Sequence, residues 1–272
     1  MKKVLSLVLA LVMILGICSL VGCGKNDDEN TLVMATNAAF PPYEMYEGDK
    51  IVGIDAEIAE AIAAKLGMKL EIKDIEFDSI VAGVSSGKYD IGMAGMTVTK
   101  DRLKSVNFTN SYAKGVQSVI VPENSPYTSY EDFYTGFDAD ENPIAVKDGI
   151  KIGVQMGTTG DIYCSSDPKD WGFGKENVAQ YNTGADAVQA LVTGKVTAVI
   201  IDNEPAKAYV KANTGLKILE GAFVEEDYAI CLSKKNTELL NKINKALEEL
   251  TADGTIKRIV DKYIPVENAE EK

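Results

Sequence analysis

Two stretches of the chain alternate short apolar strands with amphipathic helices, and this alternation constrains the fold more than any other feature. The first covers residues 31–102 and the second residues 151–219. Such an alternation predicts a mostly parallel sheet covered by helices on both faces. Two extended apolar segments, residues 116–121 and 228–232, are interpreted as crossings between the two units. The sequence therefore predicts an α/β fold with two βαβ lobes, joined by two crossing strands, and a ligand cleft between them.

The two crossings fix the predicted domain boundaries. Residues 31–115 and 229–265 form a discontinuous first lobe, and residues 116–228 form the second lobe. The charged residues 266–272 are predicted to be a frayed tail. Ligands bind sheets of this type outside the carboxyl ends of the strands, so we expect the site at that edge of each sheet.

Residue chemistry near the strand ends predicts where helices begin and end. Asp55 is the expected N-cap of an amphipathic helix whose apolar face carries Ile58 and Ile62 and which ends at Gly67. Asp202 follows a β-branched strand and has two interpretations. It is either the N-cap of the next helix or a carboxylate directed at an ammonium group.

Residues 94–102 predict a strand end, a tight turn and a helix start. Thr99 is the expected N-cap, and Arg102 falls in the first turn. A cation near a helix N-terminus costs about 0.3–1 kcal/mol unless an anion lies in front of it. One interpretation is therefore an anion clamp, in which Arg102 and the Thr97 hydroxyl bind a small carboxylate. The other is a surface arginine paired with Asp101.

Further candidate site residues follow strands in both lobes. Residues 157–160, with the sequence Gly-Thr-Thr-Gly, either direct N–H groups and two hydroxyls at an anion or form a plain turn. Phe40 and Phe77 are either core aromatics or plates on the two sides of a ligand. With Arg102 and Asp202, these residues describe a receptor for an α-amino acid: donors for its carboxylate, an acid for its ammonium group and aromatic rings for the rest.

Composition excludes several classes of function. Without Lys2 and Lys3, which lie in the leader, the 28 basic residues become 26, and against 41 acidic residues the net charge is −15. Nucleic-acid binding needs a basic surface and is not expected. The chain has no histidine, which excludes Ser-His-Asp and Cys-His catalysis and histidine metal sites. We expect no catalytic residues, no metal and no cofactor. Cys164 and Cys231 lie in different predicted lobes, so no disulfide between them is expected.

The N-terminus has the pattern of a lipoprotein leader. Lys2 and Lys3 precede an apolar run too short to span a bilayer comfortably, which is typical of a secretory signal peptide. The run ends in Leu-Val-Gly followed by Cys23, which resembles a bacterial lipobox. The alternative is an ordinary signal peptide with an incidental cysteine. We predict a signal peptide over residues 1–22, lipidation of Cys23, a tether over residues 23–30, and anchoring to the outer face of the cell membrane.

Several stretches match one family together. They are residues 35–44, 53–55, 94–102, 107–109 with Tyr112, 153–155 with 157–159, and 198–202. In this combination the chain resembles the polar amino-acid solute-binding proteins of ABC importers, which include glutamine-, histidine- and lysine/arginine/ornithine-binding proteins. The resemblance covers about residues 31–265. It implies a type II periplasmic-binding-protein-like fold whose lobes close on the ligand by a hinge, here near residues 114–117 and 225–228.

The resemblance also implies a role for each matching residue. The implied carboxylate-binding set is Arg102, Thr97, the backbone of Ala94 and Gly95, and Thr158 or Thr159. Asp202 takes the ammonium group, and Phe40 and Phe77 flank the side chain of the ligand. The implied partners are a polar amino acid and the permease and ATPase subunits of an ABC importer, with the binding protein itself a monomer.

Two positions depart from the pattern of that family. Its basic-amino-acid and glutamine binders commonly carry Asp at the position of Asn37, and the glutamine binder carries Lys at the position of Gln155. Both residues are uncharged here, which favours a polar neutral side chain slightly. Glu44 or another acid that reaches the site would still suit a basic ligand. The acidic loop over residues 136–149 has no assigned role.

Two other functions occur on such a fold: an enzyme, such as the related dehydratases, and a sensory ectodomain. An enzyme needs a positioned acid or base, and no pairing is evident beyond Asp202. A sensor needs a transmembrane helix or signalling domain, and none follows Tyr263. The expected function is therefore a transport receptor that captures a polar L-amino acid and delivers it to a permease.

Overall fold

The computed structural model describes residues 30–264, which contain fourteen strands and eight α-helices. The strands are β1 (Thr31–Thr36), β2 (Ala39–Phe40), β3 (Glu44–Glu47), β4 (Lys50–Val52), β5 (Lys69–Asp74), β6 (Ile91–Gly92), β7 (Val106–Phe108), β8 (Ala113–Pro122), β9 (Ile152–Gln155), β10 (Val178–Tyr181), β11 (Ala198–Asp202), β12 (Leu216–Ile218), β13 (Val224–Tyr228) and β14 (Cys231–Ser233). The helices are α1 (Ile54–Leu66), α2 (Phe77–Ser85), α3 (Arg102–Ser105), α4 (Thr159–Cys164), α5 (Gly184–Val192), α6 (Asn203–Ala212), α7 (Thr237–Ala252) and α8 (Thr255–Tyr263).

Three predictions concern residues that lie wholly or mostly outside the described range. They are the signal peptide over residues 1–22, the lipidated Cys23 with its tether, and the tail after residue 265. Within residues 30–264, none of the helices has the length and apolar character that crossing a membrane requires.

The first sheet has the strand order β5–β1–β6–β14–β7. Strands β1 and β6 are parallel, with Met34 opposite Ile91, and β14 runs antiparallel to β6 and β7. Helix α1 places Ile58 and Ile62 in one apolar core with residues of α7 such as Ile243, and all three side chains are fully buried. Because β14, α7 and α8 come from the end of the chain, the first sheet and its helices combine both ends of the described sequence.

The second sheet has the strand order β10–β9–β11–β8–β12, and β13 also pairs with β8. Strands β9, β10 and β11 are parallel, whereas β8 is antiparallel to β11. A separate three-stranded sheet, β2–β3–β4, lies between β1 and α1 in the chain. The predicted α/β class with two lobes is confirmed, but both large sheets are mixed, whereas the sequence predicted mostly parallel sheets.

The two crossings lie side by side as one antiparallel pair. The first half of β8 pairs with β13, with Ala113 opposite Tyr228 and Gln117 opposite Val224. The single return strand predicted over residues 228–232 is wrong, because two strands cover this region. Tyr228 ends the ladder with β8, and Cys231 begins a new ladder opposite Gly92 in the first sheet.

Local chemistry predicted most helix ends, and Gly67 terminates α1 in the left-handed conformation as expected. The prediction that Asp55 caps this helix is wrong. The N-cap is Gly53, whose φ of 128° and whose contact with the Tyr43 carbonyl would exclude a Cβ atom. Asp55 is instead fully buried one residue inside the helix, where it accepts hydrogen bonds from other parts of the fold.

The acidic loop over residues 136–149 contains no helix or strand, but aromatic packing fixes its start. Tyr134 stacks on Phe173 with ring centroids 5.3 Å apart, and Phe137 lies 5.7 Å from the Trp171 ring. An isolated bridge joins Phe137 to Pro143 across the loop. The loop is therefore held against the core of the second sheet.

Both cysteines within residues 30–264 are free and buried. Cys164 belongs to the apolar core of the second sheet and Cys231 to a core of the first. Their placement agrees with the expectation that they do not pair.

Candidate ligand-binding site

The carboxyl ends of strands from both large sheets meet around one pocket. Its lining contains all eleven residues predicted from the sequence together with Glu44: Asn37, Phe40, Phe77, Ala94, Gly95, Thr97, Arg102, Gln155, Thr158, Thr159 and Asp202. The first seven come from the part of the chain that forms the first sheet. Of the last four, Gln155 ends β9, Thr158 and Thr159 follow it, and Asp202 ends β11. The structure thus brings the predicted residues together, as expected for ligand binding at the ends of strands.

Arg102 is buried, with 8% of its surface exposed, and both lobes hold its guanidinium group. One terminal nitrogen donates to the Thr97 carbonyl at 2.7 Å and the other to the Gly157 carbonyl at 3.1 Å. The guanidinium carbon lies 5.3 Å from the centroid of the Phe77 ring, a cation–π contact. Burial lowers the pKa of Arg102, and the nearby Glu226 charge opposes this shift. An arginine remains cationic at neutral pH, so the pocket contains a desolvated positive charge.

The turn before α3 forms, but the N-cap of this helix is Asp101, without a side-chain capping hydrogen bond, and not Thr99 as predicted. The Thr99 hydroxyl accepts a hydrogen bond from the Arg102 N–H at 3.1 Å. Asp101 pairs with Lys104 at 2.6 Å on the surface, so the alternative of an Arg102–Asp101 surface pair is excluded. Arg102 is aimed into the pocket instead.

Two threonine hydroxyls lie close to each other in the pocket. The Thr97 and Thr159 oxygens are 3.5 Å apart, and the Thr159 hydroxyl donates to Glu226 at 3.0 Å. Thr158 is the N-cap of α4, where its oxygen accepts from the Asp161 N–H. Helix α4 therefore begins at Thr159, whereas the sequence predicted a start at Asp161, two residues later.

One predicted backbone donor is already used within the protein. The Gly95 N–H donates to Asp55 at 2.8 Å, so it does not face a ligand carboxylate in this structure. Gly95 adopts a φ of 51°, and a Cβ atom there would lie 2.8 Å from the Phe40 ring. Glycine at this position lets Phe40 close one side of the pocket.

Asp202 ends β11 with both carboxylate oxygens hydrogen-bonded. Gln117 donates its amide to one oxygen at 2.8 Å, and the Tyr228 hydroxyl donates to the other. Asp202 occupies the N-cap position of α6, but its side chain makes no capping hydrogen bond, so the helix-cap interpretation does not explain it. Burial, followed by the neighbouring Glu226 charge, raises the pKa of Asp202 well above its ordinary value.

Asn37 and Gln155 meet across the pocket. The Gln155 amide donates to the Asn37 side-chain oxygen at 2.8 Å and to the Asn182 carbonyl at 3.0 Å. Asn37 in turn donates to the Ile75 carbonyl at 3.0 Å. These two uncharged residues therefore satisfy each other and join the end of β1 to the end of β9.

Glu44, which the sequence named as an acid that could reach the site, contributes a carboxyl group to the pocket lining. It is fully buried beside the Asp55 carboxyl, and its oxygens have no other hydrogen-bond partner among the described residues. Burial, then the nearby Asp55 charge, raises the pKa of Glu44 well above its ordinary value. Asp55 lies behind it and accepts from Tyr112 at 2.9 Å as well as from Gly95. Burial raises the pKa of Asp55 to about 6, against these hydrogen bonds.

Sequence reasoning missed three site residues on the crossing strands, Gln117, Glu226 and Tyr228. Their neighbours in the sequence show no binding motif, and the side chains reach the site only because β8 and β13 pair. The one available signal was that all three lie in the segments where the family resemblance places the hinge. No cluster of three or more acidic, histidine or cysteine side chains within residues 30–264 is arranged to hold a metal ion.

The sequence also matches a family model described as bacterial extracellular solute-binding proteins, family 3, over residues 32–266. The chain belongs to this family. It is 30% identical to the arginine-binding extracellular protein ArtP of Bacillus subtilis (strain 168), over 97% of this chain and 98% of ArtP. The family resemblance seen in the sequence is therefore confirmed.

Solved structures show the same fold. An ancestral arginine-binding protein bound to glutamine matches with a TM-score of 0.76 at 38% identity, over 87% of this chain and 99% of that chain. The arginine-, lysine-, histidine-binding protein ArtJ from the thermophilic bacterium Geobacillus stearothermophilus matches with a TM-score of 0.76 at 30% identity, over 88% and 97%. The predicted type II periplasmic-binding-protein-like fold is confirmed.

The Asp55 carboxyl generates a prediction about stability and pH. Its pKa is about 6 in the folded protein against 3.8 in an ordinary aspartate, so the folded state keeps a proton that the unfolded state loses in this range. Wild-type stability should therefore fall as pH rises from about 4 to above 6, by up to about 3 kcal/mol from this group. Asp55→Asn should flatten that fall in urea unfolding, because its side-chain oxygen still accepts from Gly95 and Tyr112.

Glu60→Gln, an exposed change on the same helix, is the matched control and should keep the wild-type profile. An Asp55→Asn profile that matches wild type at every pH would show that Asp55 is already charged in the folded protein at pH 4.

Proposed function

We propose that this protein is the lipid-anchored substrate-binding component of an amino-acid ABC importer and that it captures a basic L-amino acid. The observation that carries the proposal is a buried guanidinium group, Arg102, and a buried carboxyl group, Asp202, which both line one pocket at the strand ends of two sheets. A zwitterion supplies the complementary charge to each. The family membership and the named amino-acid-binding relatives support the same conclusion.

Arg102 binds the α-carboxylate of the ligand in this proposal. Its guanidinium group is held by two backbone carbonyls and carries further N–H donors, so it can grip a carboxylate while it keeps its orientation. The Thr97 and Thr159 hydroxyls lie beside it. Asp202 receives the ammonium group, because a carboxylate oxygen accepts more than one hydrogen bond and its two donors leave lone pairs free.

Glu44 is the residue that favours a basic side chain. Asn37 and Gln155, which favoured a neutral ligand in the sequence, bond to each other in the structure. Glu44 lines the same pocket beside Asp55 and has no cationic partner among the described residues, and a buried carboxylate is costly unless it is paired. A guanidinium or ammonium group at the end of a ligand side chain would pair with it. ArtP and ArtJ, whose names state arginine or other basic ligands, support this class.

Closure of the two lobes would bury the ligand, and the paired strands β8 and β13 would act as the hinge. The closed form would then dock on a membrane permease that works with an ATPase subunit, with the receptor a monomer. We expect the amino acid to be released unchanged. Cys23 with its lipobox would hold the protein at the outer face of the cell membrane.

The first test is direct binding of L-arginine by isothermal titration calorimetry, with the full chain unfolded and refolded in detergent to remove carried ligand. Arg102→Ala should abolish binding, because a buried ligand carboxylate without its charged partner loses about 3–5 kcal/mol, a factor above 100 in Kd. Arg258→Ala, an exposed arginine on α8, is the control and should bind as wild type does. Wild-type affinity in Arg102→Ala would remove Arg102 from the site.

Glu44→Gln tests the side-chain class. It should weaken binding of L-arginine and L-lysine by about tenfold to a hundredfold, since a hydrogen bond to a charged group contributes about 1.5–3 kcal/mol. Binding of L-glutamine, if it occurs in wild type, should change little. Glu47→Gln lies exposed on the same strand and serves as the control. Equal losses for basic and neutral ligands would contradict the assignment of Glu44 to the side chain.

The lipid anchor is tested by labelling cells with radioactive palmitate. Wild type should incorporate label and sediment with membranes, whereas Cys23→Ser should do neither, because the thiol that carries the lipid is absent. Cys18→Ser changes a cysteine in the same leader and should label normally. Label retained in Cys23→Ser would place the lipid elsewhere. A wild-type protein without label would leave the leader an ordinary signal peptide.

A further inference from the structure

One amide joins two buried carboxylates at the base of the pocket. The side-chain nitrogen of Gln117 donates to Asp202 at 2.8 Å and to Glu226 at 2.9 Å. The oxygen of Glu226 that accepts from Gln117 also accepts from the Thr159 hydroxyl at 3.0 Å. Glu226 itself is 6% exposed and does not line the pocket. Glu226 is therefore connected to Thr159 directly and to Asp202 through Gln117, and these are the groups proposed to bind the carboxylate and ammonium groups of the ligand.

This amide bridge lies on the hinge. Gln117 belongs to β8 and Glu226 to β13, the two strands by which the chain passes between the sheets. Asp202 belongs to β11 and Thr159 to α4, both in the second lobe. A shift of β13 relative to β8 would move Glu226 with respect to Asp202 and Thr159. The head-group site and the hinge thus share hydrogen bonds.

The charges around Asp202 come from every side of the pocket. Glu226 acts on it from β13 and Arg102 from α3, and the Tyr228 hydroxyl donates to it. The Tyr163 hydroxyl on α4 faces the same group, and burial together with the Glu226 charge raises the pKa of Tyr163 to about 12. In the first lobe, the Asp202 charge contributes to the raised pKa of Tyr43 and of Glu44.

The second oxygen of Glu226 is buried and has no hydrogen-bond partner among the described residues. Two carboxylates this close repel each other unless a proton or a cation lies between or beside them. Arg102 balances only one of the two negative charges, and it is also the proposed partner of the ligand carboxylate. An empty closed pocket therefore favours a proton on Asp202, and a ligand ammonium group can replace that proton.

We propose that Glu226 is a positioning residue of the head-group site, which holds Thr159 directly and Asp202 through Gln117, and whose charge makes Asp202 exchange a proton for the ligand ammonium group on closure. The inference rests on the proposed function of the pocket. In this step the Asp202 carboxyl releases its proton to solvent, and the ligand ammonium, already protonated, takes its place. No bond in the ligand is formed or broken.

The test compares wild type with Glu226→Gln, which keeps the size of the side chain and an oxygen that accepts from Gln117 and Thr159. L-Arginine is titrated calorimetrically into the full chain from pH 5 to pH 8, in buffers of different ionisation enthalpy. Wild-type binding should release protons and should weaken in acid. In Glu226→Gln the acid weakening should shift down by about 1 pH unit or more, because a neighbouring charge of the same sign is gone. Glu44 is present in both proteins, so its own titration cancels in the comparison.

Two further variants complete the design. Glu220→Gln removes an exposed carboxylate outside the hinge strands and should reproduce the wild-type profile. Glu226→Ala also removes the anchor of Thr159 and Gln117, and it should weaken binding at least tenfold at every pH. A Glu226→Gln protein with the wild-type pH profile and the wild-type proton release would overturn the proposal.

A ligand-free measurement separates this inference from the proposed function. Carboxyl carbon NMR of the empty wild-type protein, with the Asp202 signal identified by its loss in Asp202→Asn, should show Asp202 titrating above the ordinary range of about 4. Titration of Asp202 at an ordinary pH overturns the inference even if L-arginine binds. If no amino acid binds but Asp202 titrates above its ordinary range, the effect of Glu226 on Asp202 is retained and the proposed ligand class is wrong.

Discussion

The buried guanidinium group of Arg102 is the constraint on which the closed arrangement depends. A cation removed from water is costly unless dipoles or anions replace its hydration. Here one carbonyl from each lobe does so: Thr97 from the first and Gly157 from the second. Carbonyl dipoles compensate a full charge only in part. The position therefore attracts an anion, and because the guanidinium bonds to both lobes, an anion bound there also favours closure of the lobes on each other.

The remaining buried charge is mostly negative. Glu44, Asp55, Asp202 and Glu226 are all buried near the pocket, while Arg102 is their one cationic neighbour in its lining. Burial raises the pKa of Glu44, Asp55 and Asp202, and neighbouring carboxylates add to this for Glu44 and Asp202. A ligand that brings a carboxylate, an ammonium group and a cationic side chain has a net positive charge and balances this excess better than a neutral amino acid. The charge distribution and the position of Glu44 thus both favour a ligand with a cationic side chain, through separate arguments.

Much of the fold and the lining of the pocket could be predicted from sequence, because both depend on local pattern and one topological rule. The strand–helix alternation predicted parallel pairing, which β1 with β6 and β9 with β10 and β11 show, and ligand contacts at carboxyl strand ends then placed Arg102 and Asp202. Asp55 was misassigned because N-cap preference is local, whereas its carboxylate is used by Gly95 and Tyr112 from distant segments. Gln117 and Glu226 could not be found, because only the pairing of β8 with β13 brings them to the site.

The structure separates two tasks that a receptor of this kind must perform. The groups proposed to bind the amino-acid head group, Asp202 and Thr159, are tied by hydrogen bonds to the hinge strands, so recognition of the zwitterion is linked to closure. Glu44 and the Asn37–Gln155 pair take no part in those bonds, so under the proposed function we expect changes there to alter side-chain preference while the hinge hydrogen bonds stay. A family that keeps the first set and varies the second can acquire new ligands while it keeps one mechanism of closure. Uncharged Asn37 and Gln155 beside a buried Glu44 fit that division, because selectivity for charge then rests on a single residue.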